Sequence, residues 1–484
     1  MYPWDQRVCL WLVLGCCGLG SPFLLSAETE QGSSPPIATE EVLADLWTRR
    51  HGVDWPRFLG PTRDGKSPET GVTAPWPASG PRVVWQRPVG SGYGIGSVSR
   101  GRYYHFDREE EGGGKPAGAA RLRCLHAETG EELWQFRYAT NYHDQLEYSD
   151  GPRASPVIDG NRVYIFGAEG SLLCVRASDG KLIWQVDTSA KFHVVQNFFG
   201  VGSTPVILGS LLICQIGGSP PGSPGLYDSG GRIAGNGSGI VAFDKWTGAV
   251  RYEITDELAS YASIQVADIR GRLWCFAFAR GGLVGFDPAN GQVDFQYPWR
   301  ARMLESVNAS TPVVVGNEVF ISEAYQVGSS LLSVQPGSCE VVWRDDPRRR
   351  DKSLATHWNT PIFVDGYLYG CSGRHTQDAE LRCIEWKKGR ICWSETGARP
   401  ERSSLLFADG YFMSLGEFGT LQLLRANPQR YELVSSVVLR DESGDPLLRY
   451  PCWAAPILAH GLLYIRGENR VVCLELIPSR GDRR

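Results

Sequence analysis

Residues 154–186 read ASPVIDGNRVYIFGAEGSLLCVRASDGKLIWQV, and the punctuation of this stretch decides the fold. Four short apolar runs, 155–158, 163–166, 172–175 and 182–186, are separated by Asp159-Gly160, Glu169-Gly170 and Asp179-Gly180. Such pairs favour tight reversals, because glycine tolerates positive φ. Val163-Tyr164-Ile165-Phe166 is apolar without alternation, which predicts a strand covered on both faces. An antiparallel four-stranded sheet of that kind needs similar sheets on either side.

The chain supplies them. Aligned on the apolar run that opens each unit, eight copies begin near Gly96, Ser155, Thr204, Ser263, Thr311, Thr360, Ser404 and Ala455. Their spacing of roughly 45–60 residues is that of a propeller blade with variable loops. A Ser/Thr/Ala-Pro opening survives at Pro156, Pro205, Pro312, Pro361 and Pro456. A glycine followed four residues later by an aromatic closes five copies, at Gly130/Trp134, Gly180/Trp184, Gly248/Tyr252, Gly291/Phe295 and Gly389/Trp393. The eighth copy holds only three strands before the chain stops, and 82–88, with Trp85 as the closing aromatic, is expected to complete it and seal the ring. The expected fold is therefore all-β: an eight-bladed β-propeller of four-stranded antiparallel blades over 82–476, closed by the N-terminal strand.

The rest of the chain is arranged around that ring. Of 484 residues, 42% are hydrophobic and 11% aromatic, ample for one large core. A net charge of −4 gives no electrostatic reason to expect nucleic acid. Residues 8–25 are apolar, preceded by Arg7 and followed by Ser26-Ala27, which reads as an export signal over 1–27. Val13-Leu14-Gly15-Cys16 loosely resembles a lipoprotein box, so a lipid-anchored form stands beside plain secretion. Periplasmic or secreted placement and no membrane span in the mature chain are expected. Residues 28–53 read as a polar linker and one short amphipathic helix over 39–51, with Thr39 as N-cap and Val42, Leu43, Leu46 and Trp47 on one face. Residues 54–81 form an N-terminal extension and 477–484 a tail.

Ten cysteines remain after the signal. Cys124, Cys174, Cys383 and Cys473 recur at the third-strand position of separate blades and are expected as buried fillers. Cys371, Cys383 and Cys392 lie on neighbouring strands of one blade, where one disulfide could form. No C-x-x-C or C-x-x-C-H spacing points to a metal or covalent haem.

Loop lengths locate function. In a four-stranded antiparallel blade, turns one and three share one rim, and turn two and the inter-blade link share the other. Turns one and three are short nearly everywhere, whereas the insertions at 108–121, 137–153, 187–203, 216–239, 298–310, 345–359 and 435–453 all fall on the second rim. Irregular loops on rigid sheets are the usual display for binding sites. Residues 217–239, GGSPPGSPGLYDSGGRIAGNGSG, have a composition that argues against a fixed compact shape.

The blade text resembles the PQQ-like repeat of quinoprotein-alcohol-dehydrogenase-like propellers. Its best copy is LRCLHAETGEELW at 122–134, and DWPRFLGPTRDG at 54–65 is similar to the segment preceding the propeller in secreted bacterial members. The resemblance covers about 54–476. It is specific for the fold and weak for activity, since the repeat occurs in dehydrogenases and in an outer-membrane assembly scaffold. Two functions follow from it. One is a non-catalytic binding or scaffold module, acting as a monomer, whose long-loop rim takes an envelope protein or glycan. The other is a PQQ- and Ca-dependent dehydrogenase acting on an alcohol or sugar. The second would need a tryptophan to stack the quinone, arginine and asparagine for its carboxylates, and oxygen ligands for Ca²⁺.

Rim candidates are His143, Asp144, Arg153, Asn197, Glu305, Asn308, His357, Trp358, Asn359 and Trp453. Arg153 precedes an inner strand and could meet an anion, with a salt bridge to Asp150 or Asp144 as the plain alternative. Asn197, Asn308 and Asn359 precede inner strands, where asparagine also serves as a turn former. Glu305 and Asp144 are the carboxylates for a calcium set. His143 and His357 could shuttle protons or simply be exposed or hydrogen-bonded, and Trp358 and Trp453 could floor a cofactor, line a hydrophobic patch or pack between blades. No residue is assigned as catalytic and none as a metal ligand. The only adjacent cysteines, Cys16-Cys17, lie in the signal, and no aspartate matches the family's catalytic base, so the binding module is the leading expectation.

Overall fold

The computed structural model describes residues 42–110, 118–397 and 399–479. The expected export signal, residues 39–41 of the expected helix and the last five residues lie outside them. Eight four-stranded antiparallel sheets make an eight-bladed propeller with almost no helix: one turn at Thr188–Phe192 and a 3-10 turn at Thr376–Asp378. Blade 2 is the opening stretch of sequence, with strands Val157–Asp159, Arg162–Phe166, Ser171–Arg176 and Leu182–Asp187 in meander order. Val163, Tyr164, Ile165 and Phe166 are all 1% exposed or less, as their unbroken apolar run requires. Cores sit between adjacent sheets: Tyr164, Phe166, Leu172 and Cys174 of blade 2 pack on Leu212, Cys214, Val241 and Phe243 of blade 3. The strand Arg82–Pro88 pairs antiparallel with Arg470–Glu475, setting Trp85 opposite Cys473.

The two repeated motifs each have a physical role. The closing aromatic of one blade lies over the third-turn glycine of the next. Gly130 faces Trp85, Gly180 faces Trp134, Gly248 faces Trp184, Gly291 faces Tyr252 and Gly389 faces Trp343. Each ring also donates a hydrogen bond to the main chain of that next blade: Trp85 to Ala127 O (2.8 Å), Trp134 to Ala177 O (3.1 Å), Trp184 to Lys245 O (3.0 Å), Tyr252 to Pro288 O (2.8 Å) and Trp343 to Trp386 O (2.8 Å). The Ser/Thr that opens blades 3 to 6 makes a second set of contacts nearer the axis. Ser155 N donates to Thr204 Oγ1, Thr204 N to Ser263 Oγ, Ser263 N to Thr311 Oγ1 and Thr311 N to Thr360 Oγ1.

The segment 55–67 occupies the axis. Trp55 exchanges main-chain hydrogen bonds with Val98 of blade 1, and Pro56 O accepts from Ile158 N of blade 2. Arg63 reaches Ile207 O of blade 3, while its own carbonyl accepts from Gln265 of blade 4. Lys66–Ser67 then adds a short parallel strand to blade 7, opposite Phe407 and Ala408.

Three expectations are corrected. Residues 42–51 carry no helix: their donors are taken by tertiary partners, Leu46 N by Arg100 O, and Thr48 N and Arg49 N by the Glu128 carboxylate. Val42 is 77% exposed while Leu43 is buried, and the Trp47 ring stacks on His460 at 4.1 Å, so the apolar residues serve an extended strap rather than a helix face. Of the insertion expected at 108–121, the described residues 108–110 and 118–121 are strand, because Arg102–Glu110 and Gly118–His126 pair along their whole length and Arg121 bridges Asp107 across them. Residues 217–239 are folded back on the rim, with Leu226 only 2% exposed. All ten cysteines described are free thiols, including Cys371, Cys383 and Cys392, and the four third-strand cysteines are fully buried.

A Cβ built on Gly180, whose φ is +73°, would lie 2.5 Å from Trp134 Cε3. Gly180→Ala therefore strains both backbone and ring, and urea unfolding should show a loss of about 2–3 kcal/mol. Gly209→Ala, at a positive-φ turn with open space around it, should lose about 1 kcal/mol.

Candidate functional site

The long-loop rim surrounds a funnel of about 280 Å³ on the axis. Its throat is built from one register position of the repeat, two residues before each blade's opening Ser/Thr. Those positions are Gly94, Arg153, Gly202, Tyr261, Ala309, Trp358, Arg402 and Trp453, and all of them line the funnel. Small residues at three alternate blades leave the space that the arginines and aromatics of the others enclose. Phe58 and Leu59 of the axial segment form the floor and also line a second cavity, of about 300 Å³, toward the short-turn rim.

The arginines of the funnel are held flat among aromatic rings. The Arg402 guanidinium lies 4.3 Å over Trp358 and 5.3 Å from Trp453, and its Nη2 donates to Glu417 Oε2 at 2.6 Å. Trp453 Nε1 donates to the same carboxylate oxygen (3.1 Å), and Trp358 Nε1 donates to Trp453 O (3.1 Å). Burial pushes Glu417 up, but its bonds to Arg402, Trp453 and Thr376 outweigh that and hold the carboxyl below its ordinary range. Arg153 sits among the rings of Tyr93, Tyr142 and Phe199, and its Nη2 donates to the fully buried Asp144 at 2.5 Å. Arg374 lies 4.3 Å over Tyr325, whose hydroxyl meets His357 Nε2 at 3.0 Å. His357 Nδ1 and Asn359 Oδ1 are shielded from solvent without a hydrogen-bond partner.

An aromatic run leads out of the funnel. Tyr148 contacts both Phe199 (5.8 Å) and Trp453 (6.1 Å), Trp453 contacts Tyr450 (5.9 Å), and Tyr450 stacks on Phe418 (5.2 Å). Tyr148 and Tyr450 are 57% and 48% exposed, so these two rings face solvent rather than the core.

Of the residues expected from sequence, Arg153, Glu305, His357, Trp358, Asn359 and Trp453 come together in the funnel. His143 and Asn197 line a separate off-axis cavity. Asp144 and Asn308 are fully buried, the first engaged by Arg153, Leu146 N and Ser149 N, the second donating to Ala279 O and Trp299 O. Arg402, Glu417, Arg374, Tyr148 and Tyr261 were missed. For Arg402 and Tyr261 the signal was present, since each stands in the same register as Arg153 and Trp358.

The fit to a calcium-quinone pair can be tested on these side chains. Among the described residues no three of His, Cys, Asp or Glu gather as a metal set. Among the described residues Glu305 is the only carboxylate lining the funnel, while Asp144 and Glu417 are bound to arginines. One face of Trp358, needed for stacking a quinone, is covered by Arg402. The residues present do not fit that pair.

Comparisons with known proteins fall on both sides of the sequence reading. The family model described as outer membrane protein assembly factor BamB matches residues 118–395. A curated relative, the outer membrane protein assembly factor BamB of Alkalilimnicola ehrlichii, is 23% identical over 239 residues, which are 48% of this chain and 51% of the relative. The chain thus spans about half the length of that relative. Among solved structures, BamB from Moraxella catarrhalis superposes with a TM-score of 0.50 at 12% identity, over 84% of this chain and 97% of its own. The quinohemoprotein alcohol dehydrogenase from Comamonas testosteroni gives 0.57 at 12% identity, over 87% and 80%. At these identities the structural likeness establishes the fold alone.

His357 yields a measurable pH effect. Burial, with Arg402, Arg374 and His375 nearby, pushes its pKa down to about 3. Unfolding restores the ordinary value near 6.5, so between those values the unfolded chain binds the extra proton and stability falls as pH falls. From pH 7 to pH 5 this should remove on the order of 1–2 kcal/mol. Thermal melts of His357→Gln should show a flatter decline than the parent across that window.

Proposed function

Because the chain belongs to the outer membrane protein assembly factor BamB family, we propose that it is an exported, non-catalytic binding propeller that holds envelope polypeptides on its long-loop rim. The observation that carries this reading is the exposed aromatic run from Phe199 through Tyr148, Trp453 and Tyr450 to Phe418, ending beside Arg399, which lies 3.8 Å over the Phe418 ring. Aromatic faces interleaved with flat guanidinium groups suit side chains and main-chain amides of an extended segment. Interfaces are typically anchored in this way by a few Trp, Tyr and Arg residues. Neutralising Arg153 and Arg402 with buried carboxylates favours recognition by shape and stacking over capture of a bulk negative charge.

Periplasmic or secreted placement, cleavage of 1–27 and a monomeric propeller over 82–476 belong to the same proposal. No helix among the described residues is long and apolar enough to cross a membrane. The dehydrogenase reading is the weaker one, because the carboxylates that a hard cation requires are tied to arginines or stand alone.

A photo-crosslinking residue placed at Tyr148 or Tyr450 and activated in intact cells should trap polypeptides, while one placed at Leu273 on the outer surface should not. Trp453→Ala should reduce trapping at least severalfold without changing the amount of protein. Stoichiometric spectral titration of the purified protein by the quinone cofactor with Ca²⁺, with no polypeptide trapped at either tyrosine, overturns the proposal.

A further inference from the structure

The off-axis cavity, of about 430 Å³, lies under the glycine-rich loop 216–239, which contributes Gly217, Leu226 and Ile233 to its wall. Its charge balance is unlike that of the central funnel. Arg280, 4% exposed, donates through Nη1 to Asn197 Oδ1 (2.8 Å) and through Nη2 to Leu304 O (3.3 Å). Arg300 Nη2 donates to that same carbonyl at 3.1 Å, so two guanidinium groups converge on one neutral acceptor. Arg280 forms no ion pair among the described residues, while Arg300 has the Glu257 carboxylate nearby. Burial, and then the neighbouring Arg300, push Arg280 down to about 10. A buried cation without a counter-charge is costly, and the native solutions are pairing or a bound anion.

A second observation converges on the same space. Three buried polar atoms of the lining have no hydrogen-bond partner: Arg280 Nε, Tyr142 Oη and Ser203 Oγ. Their residues are 4%, 4% and 2% exposed. Each can donate a proton, and burial pushes the Tyr142 hydroxyl well above its ordinary range, so it remains a donor. Unsatisfied buried donors are rare in native structures, and here their residues line one cavity of ligand size. Glu169, the carboxylate in the lining, already accepts from Tyr138 (2.8 Å) and Thr140 (3.3 Å).

We infer that this cavity is a binding site for a small organic anion, a carboxylate or phosphate ester, held by Arg280 with the Tyr142 and Ser203 hydroxyls and roofed by the loop 216–239. This goes beyond the polypeptide-binding reading and uses none of the aromatic run, so either can fail alone.

Melting curves at constant ionic strength, with inorganic phosphate or succinate replacing chloride, test it on the full chain. Either anion should raise the parent's melting temperature by about 2 °C or more near saturation. Arg280→Gln should abolish the response, yet melt in chloride no lower than the parent, because it removes an uncompensated buried charge. A merely structural arginine would show the reverse. Tyr142→Phe, which deletes one hydroxyl, should weaken anion affinity severalfold, and Trp453→Ala should leave it unchanged. The inference is overturned if neither anion shifts the parent, if Arg280→Gln responds as the parent does, or if Arg280→Gln melts well below the parent in chloride.

Discussion

The ring stands on one contact, repeated between neighbouring sheets: an aromatic ring seated on a glycine. A propeller blade has two hydrophobic faces and no means of choosing where its neighbour stops. The glycine supplies both the positive φ of its turn and the bare Cα on which an indole can lie, and the indole N–H then reaches a main-chain carbonyl beside it. Packing and hydrogen bonding thus fix the same separation and rotation. Nearer the axis, the Ser/Thr hydroxyls accept from the main chain of the preceding blade and repeat the constraint at a smaller radius. Two concentric sets of contacts leave each blade little freedom to tilt.

This explains what could be read from the sequence. The glycine-to-aromatic and Ser/Thr-Pro signals mark the contacts that generate the ring, so blade number and boundaries were legible. The site was legible only in part. The register two positions before each opening Ser/Thr carries Arg153, Trp358 and Trp453, which stood out, and also Tyr261 and Arg402, which did not. Glu417 gave no local signal, because its link to Arg402 and Trp453 comes from the return of a strand rather than from spacing. Tyr148 and Tyr450 lie in irregular links, where no periodicity exists to show which way a ring faces. The strap at 42–51 was misread because apolar residues at helical spacing say nothing of a distant carboxylate, Glu128, waiting for the backbone donors.

The two cavities of the long-loop rim treat arginine differently. On the axis, Arg153 and Arg402 each have a buried carboxylate, and Arg374 lies over the Tyr325 ring. Off the axis, Arg280 and Arg300 share a carbonyl. The same fold therefore presents arginines paired with carboxylates on the axis and arginines bound to a carbonyl off it.

The segment 55–67 gives the molecule a direction. Hydrogen-bonded to the innermost strands of blades 1, 2, 3, 4 and 7, it blocks the bore with Phe58 and Leu59. The propeller is thus a thimble and not a pipe. A polymer can dip an end or a side branch into it but cannot be threaded through, and whatever enters must back out by the route it came.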